Sequence, residues 1–77
     1  MTVKAYVLIG TEAAKTAQAV AQLREVPGVV EASEVMGPYD VVVIMEVPEL
    51  LDVTTLLSQR IRKIDGIQST ITCVTMP

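Results

Sequence analysis

The chain has 77 residues, 51% of them hydrophobic but only 3% aromatic, which leaves room for a single domain, 1–77, with an almost wholly aliphatic core. A net charge of −3 argues against non-specific nucleic-acid binding, which needs clustered cations. No apolar run is long enough for a membrane span, and the N-terminus lacks the pattern of a signal peptide, so a soluble cytoplasmic protein is expected.

Residues 3 to 10 are β-branched and apolar and end at Gly10, which predicts a first strand. Thr11 is placed to cap a helix running from Glu12 to Glu25, with Ala13, Ala17, Val20 and Leu23 as its apolar stripe and Pro27-Gly28 as its stop. Residues 29 to 36 and 40 to 47 read as two further strands, joined by a turn at Gly37-Pro38. Pro48 and Glu49 suit the first turn of a second helix, whose buried stripe is Val53, Leu57, Ile61 and Ile64 and whose stop is Asp65-Gly66. Ile67 to Met76 forms the last strand. Arg60, Arg62 and Lys63, the only basic cluster, fall near the end of this helix, where cations complement the helix dipole.

An internal repeat supports this order. Leu23-Arg-Glu-Val-Pro-Gly-Val29 matches Ile61-Arg-Lys-Ile-Asp-Gly-Ile67, so that Gly28 maps onto Gly66 at an offset of 38, and the same offset carries Val3–Val7 onto Val41–Met45. Two strand–helix–strand units with right-handed crossovers interleave into an α+β, ferredoxin-like β-α-β-β-α-β fold: a four-stranded antiparallel sheet with both helices on one face. The uncovered face should then alternate to polar residues, yet it does not. Val41, Val43, Met45 and Val47 oppose Val42 and Ile44, and Val3, Ala5, Val7 and Ile9 oppose Tyr6 and Leu8. An apolar second face on so small a domain predicts a sheet-to-sheet dimer.

The chemistry of catalysis is sparse. There is no histidine, no phosphate-binding glycine motif, and no metal or cofactor site; the single cysteine, Cys73, excludes an intrachain disulfide and reads as a small buried strand residue. Neighbouring acids such as Glu31 and Glu34, or Glu46 and Glu49, read as solvated surface groups. No catalytic residue is assigned, and no enzymatic activity is expected.

The one constellation that invites a functional reading is Gly37-Pro38-Tyr39-Asp40, because aspartate is a poor strand residue placed directly before Val-Val-Val-Ile. Asp40 can accept hydrogen bonds from nearby turn amides while Tyr39 covers the sheet edge. Alternatively, a carboxylate beside open backbone amides matches the two ends of a free amino acid, Asp40 taking the ammonium and the turn N–H groups the carboxylate.

A helix ending in Val-Pro-Gly-Val, then Gly-Pro-Tyr-Asp before a Val-rich strand, then Ile-Asp-Gly-Ile and a final strand with Thr70 and Thr72 resembles the effector-binding (RAM) domain of the Lrp/AsnC transcriptional regulators. The resemblance covers nearly the whole chain, and Gly-x-Tyr-Asp is its most specific piece. It implies dimers paired sheet to sheet, assembled into octamers or other rings, with amino acids bound near that turn. Carried onto this sequence, the ligand-binding positions are Gly37, Tyr39 and Asp40, with Thr70 and Thr72 as candidates on the last strand. Pro38 departs from the residue common at that position and bears on turn rigidity. Met1 is followed at once by the first strand, where full-length members begin with a helix-turn-helix, so the resemblance is to stand-alone members that do not bind DNA directly but could join full-length relatives. Two other readings compete: a structural oligomer with a vestigial ligand site, and a small cofactor-free enzyme on the same scaffold.

Overall fold

A computed structural model describes residues 2–76. Strand β1 (Val3–Thr11) is followed by a 3₁₀ turn (Ala13–Lys15) and helix α1 (Thr16–Leu23); β2 (Val29–Glu34) and β3 (Val41–Val47) form the hairpin; α2 (Leu50–Leu56) continues through a π-type turn (Leu57–Ile61) to β4 (Ile67–Val74). The sheet order is β2-β3-β1-β4, with every neighbouring pair antiparallel. This is the ferredoxin-like arrangement that the interleaved repeat predicts.

Alternation along the strands decides which side carries the core. Ala5, Val7 and Ile9 of β1 and Val41, Val43, Met45 and Val47 of β3 are buried, and with Val20, Leu23, Val53, Leu57 and Ile61 from the helical segments they form one cluster. Both helices therefore lie on one face of the sheet. Burying a Leu or Ile side chain there contributes roughly 1.5–3 kcal/mol.

The two halves repeat at the level of the backbone. Gly28 and Gly66, the equivalent helix stops, have φ of +97° and +95°, a conformation glycine adopts without a Cβ penalty. The stripe of the second helix is as expected, with Val53, Leu57 and Ile61 buried and Ile64 packed against the core. Its last turn is wider than an α-helical one, since Arg62 N–H donates to Leu57 O at 2.9 Å. At its start, Glu49 N–H donates to the Asp52 side chain at 3.0 Å, so Glu49 is the cap and not the first turn.

The first helix corrects the expected stripe. Ala13 and Ala17 are exposed, and the buried positions are Thr16, Ala19, Val20 and Leu23. The 3₁₀ turn rotates the phase, and Thr11 ends β1 instead of capping the helix.

The opposite face of the sheet is uncovered by helices. Register pairs Tyr6 with Ile44 and Cys73, and Leu8 with Val42 and Ile71, so these six share that face. Cys73 is exposed there, not buried as its neighbours in sequence suggest, because alternation turns it away from the helices. The apolar centre ends at Lys4, which pairs with Glu46 and sets its ammonium 5.4 Å from the Tyr6 ring centroid. Beyond β4, Thr75 N–H and hydroxyl both donate to Lys4 O at 2.9 Å, bringing the two described ends of the chain together. No described helix is long and apolar enough to cross a membrane.

Candidate functional site

Three connections gather at one end of the sheet: the β2–β3 turn, the link from β1 into α1, and the turn before β4. The hairpin closes through Val35 N–H donating to Asp40 O at 2.9 Å, so residues 36 to 39 form its tip. Gly37 is exposed at that tip with φ +148°, and a Cβ built on it would meet no atom within 4 Å. Its backbone is open to approach from solvent. Tyr39 and Asp40 behind it are half-buried.

Asp40 is held by its own strand pairing and by its side chain. Its N–H donates to Ile9 O at 2.9 Å, directly before β3 begins at Val41, the register partner of Ile9. Its Oδ2 accepts the backbone N–H of Thr11 at 2.8 Å. The carboxylate thus ties the hairpin to the neighbouring strand instead of serving amides of its own turn. Among the described residues, Oδ1 has no hydrogen-bond partner.

Thr70 and Thr72 are half-buried on β4 and pair with Ile9 and Val7, which confirms a shared face, the one the helices cover. They do not join Asp40. Strand β1 lies between β3 and β4, which separates the two groups by about two strand spacings, roughly 10 Å. Thr70 instead borders a shallow depression of about 400 Å³ with Arg62, Ile67, Gln68 and Ser69. A single chain therefore presents an acidic turn and, across β1, a separate depression lined by a guanidinium, an amide and hydroxyls.

Sequence reasoning passed over Thr11 and Thr16 as parts of this end of the fold. Their hydroxyls meet at 2.6 Å in the interior, a contact between residues on different elements that no spacing rule signals. Among the described residues, no cluster of side chains suits a metal ion.

The sheet order β2-β3-β1-β4, with both helices on one face and an aliphatic centre on the other, defines a ferredoxin-like domain. The chain belongs to the Lrp/AsnC family, matching its ligand-binding domain over residues 4–77. It is similar to the hypothetical protein PHS023 from Pyrococcus horikoshii, with 35% identity and a TM-score of 0.90 over 97% of this chain and 90% of that one. E. coli AsnC shares 26% identity and a TM-score of 0.90 over 97% of this chain, but the chain spans only 51% of AsnC. The transcriptional regulator NMB0573 of Neisseria meningitidis, solved as an L-Met complex, has the same fold at 16% identity and a TM-score of 0.84, with 97% of this chain covering 50% of that one. No curated protein matches the sequence.

Proposed function

We propose that this chain is an amino-acid effector-binding module that acts in transcription regulation through self-association and through full-length Lrp/AsnC regulators, without a reaction of its own. The observation that carries the reading is Asp40, whose Oδ2 is fixed by Thr11 N–H while Oδ1 has no hydrogen-bond partner among the described residues, in the turn whose tip carries the exposed Gly37. An oriented carboxylate suits an ammonium, and exposed turn amides suit a carboxylate. The L-Met complex of a protein with this fold supports an amino acid as the ligand class.

In this reading the ligand sits at Gly37, Tyr39 and Asp40, while Thr70 and Thr72 reach it only from a neighbouring copy, given their distance within one chain. Pairing of the uncovered sheet faces through Tyr6, Leu8, Val42, Ile44 and Ile71 supplies the dimer, and rings of dimers bring the sheet ends together.

The test is a thermal-shift and calorimetric screen of the twenty amino acids against the assembled protein. A ligand at a hundred times its dissociation constant stabilises by roughly 2.7 kcal/mol. Asp40→Asn keeps an acceptor for Thr11 N–H and removes the charge, so it should abolish the shift while leaving the assembly intact. An intact oligomer that none of the twenty stabilises leaves the structural-oligomer reading in its place.

A further inference from the structure

Asp40 is the visible end of a chain of contacts. Thr11, which donates to it, lies where the β1–β4 register shifts between Gly10 and Thr11. The Thr11 hydroxyl meets that of Thr16, the first residue of α1, at 2.6 Å, and both residues are buried. Either hydroxyl can donate in this contact, and Thr16 Oγ1 also lies 3.4 Å from Ala13 O, which can only accept. The following residue, Glu12, donates its N–H to Gly66 O at 2.8 Å. Thr11 is thus held by the hairpin, by α1 and by the turn before β4.

The helix does not need a hydroxyl at position 16. An aliphatic residue would serve its buried stripe, whereas a buried hydroxyl pair is favourable only while both partners remain. The shorter of the two contacts made by the Thr16 hydroxyl is the one to Thr11.

We infer that Thr16, through Thr11, is a positioning residue of the effector site, fixing the Asp40 carboxylate in the orientation in which it receives the ligand. The inference rests on the reading of Asp40 as the ammonium's partner. Thr16 itself is too deeply buried to touch a ligand. It fixes the Thr11 backbone, whose N–H holds Asp40 Oδ2 and leaves Oδ1 free. A carboxylate without that anchor samples several rotamers, and ordering it on binding weakens affinity. The same contacts join the hairpin tip to the start of α1 and to Gly66, so an occupied site is mechanically continuous with both helical segments.

Two measurements on Thr16→Val and Thr16→Ser test this in the oligomeric protein. In the ligand-free state, hydrogen exchange at the Thr11 amide should quicken in Thr16→Val and in Asp40→Ala but stay near wild type in Thr16→Ser. An unchanged Thr11 amide in Thr16→Val overturns the relay, whatever the ligand does. Calorimetric titration with the amino acid that stabilises the wild type should then show about fivefold to tenfold weaker binding for Thr16→Val, the loss of one hydrogen bond, and restoration in Thr16→Ser. Wild-type affinity in Thr16→Val, with exchange quickened, overturns the positioning role. Wild-type protein that binds none of the twenty overturns the effector reading and the role of Thr16 in it, while the exchange result still decides the relay.

Discussion

The Cα of Gly66 lies so close to Lys15 that a Cβ on the glycine would come within 2.7 Å of the lysine Cβ. The turn before β4 therefore packs directly on the segment between β1 and α1, and Lys15 completes the contact by bridging Asp65 at 3.1 Å and Glu12 at 3.4 Å. Gly66→Ala meets both this crowding and the φ of +95°, so it should destabilise by about 1–3 kcal/mol. Chemical denaturation measures it directly; a change below about 0.5 kcal/mol would show that the two segments are not packed as described.

The charge on Lys15 gives this contact a pH dependence. Its hydrogen-bonded partner Asp65, and after it Glu12, raise the ammonium pKa above the ordinary 10.5. A raised pKa in the folded state means that the contribution is fully present below the unfolded value and is lost as pH rises through the folded one. Melting temperatures of wild type and Lys15→Met should differ at neutral pH and converge in alkali once pH passes the raised lysine pKa, and because the pair is solvated the difference should be small and shrink in high salt. A difference that persists in strong alkali would assign the effect to the lysine stem.

The phase of α1 is open to a paired substitution. Ala19 is fully buried and Ala17 is exposed. Ala19→Leu forces extra volume into a packed core and should cost about 1–3 kcal/mol, whereas Ala17→Leu should stay within about 0.5 kcal/mol. The reverse order of denaturation midpoints would restore the stripe through Ala13 and Ala17.

How much the sequence discloses follows from this helix and from the strands. The strands and the second helix carry strong aliphatic patterns, so Val41 to Val47, and Val53, Leu57 and Ile61, declare their buried faces unaided. In α1 the alanines fit either face, and the buried Thr16 is intelligible only beside Thr11. The Gly37-to-Asp40 turn was visible as an aspartate in an unsuitable place, but its partner was not. Thr11 is 29 residues away from Asp40, and nothing in local spacing points there. The separation of Thr70 from Asp40 likewise depends on strand order, with β1 interposed.

Leu8 sits on the uncovered sheet face between Val42 and Ile71. A charge there has no cost to a lone domain beyond partial desolvation, but in a face-to-face pair it would be buried without a counter-ion. With the uncovered faces paired as proposed, Leu8→Lys should sediment as a monomer where the wild type is a dimer, with its far-UV circular dichroism retained. A wild type that sediments as a monomer at micromolar concentration, or a Leu8→Lys variant that remains a dimer, would direct the search for the interface elsewhere.

The contact of Thr75 with Lys4 has a practical corollary. Both described ends of the chain leave the sheet beside the start of β1, about 20 Å along that strand from Ile9 and the hairpin tip. An affinity tag, a fluorophore or a surface tether attached at either end projects away from Gly37 and Asp40. Immobilised protein should therefore keep its acidic turn facing the solution, and a short linker between the ends would give a circular chain whose sheet is undisturbed.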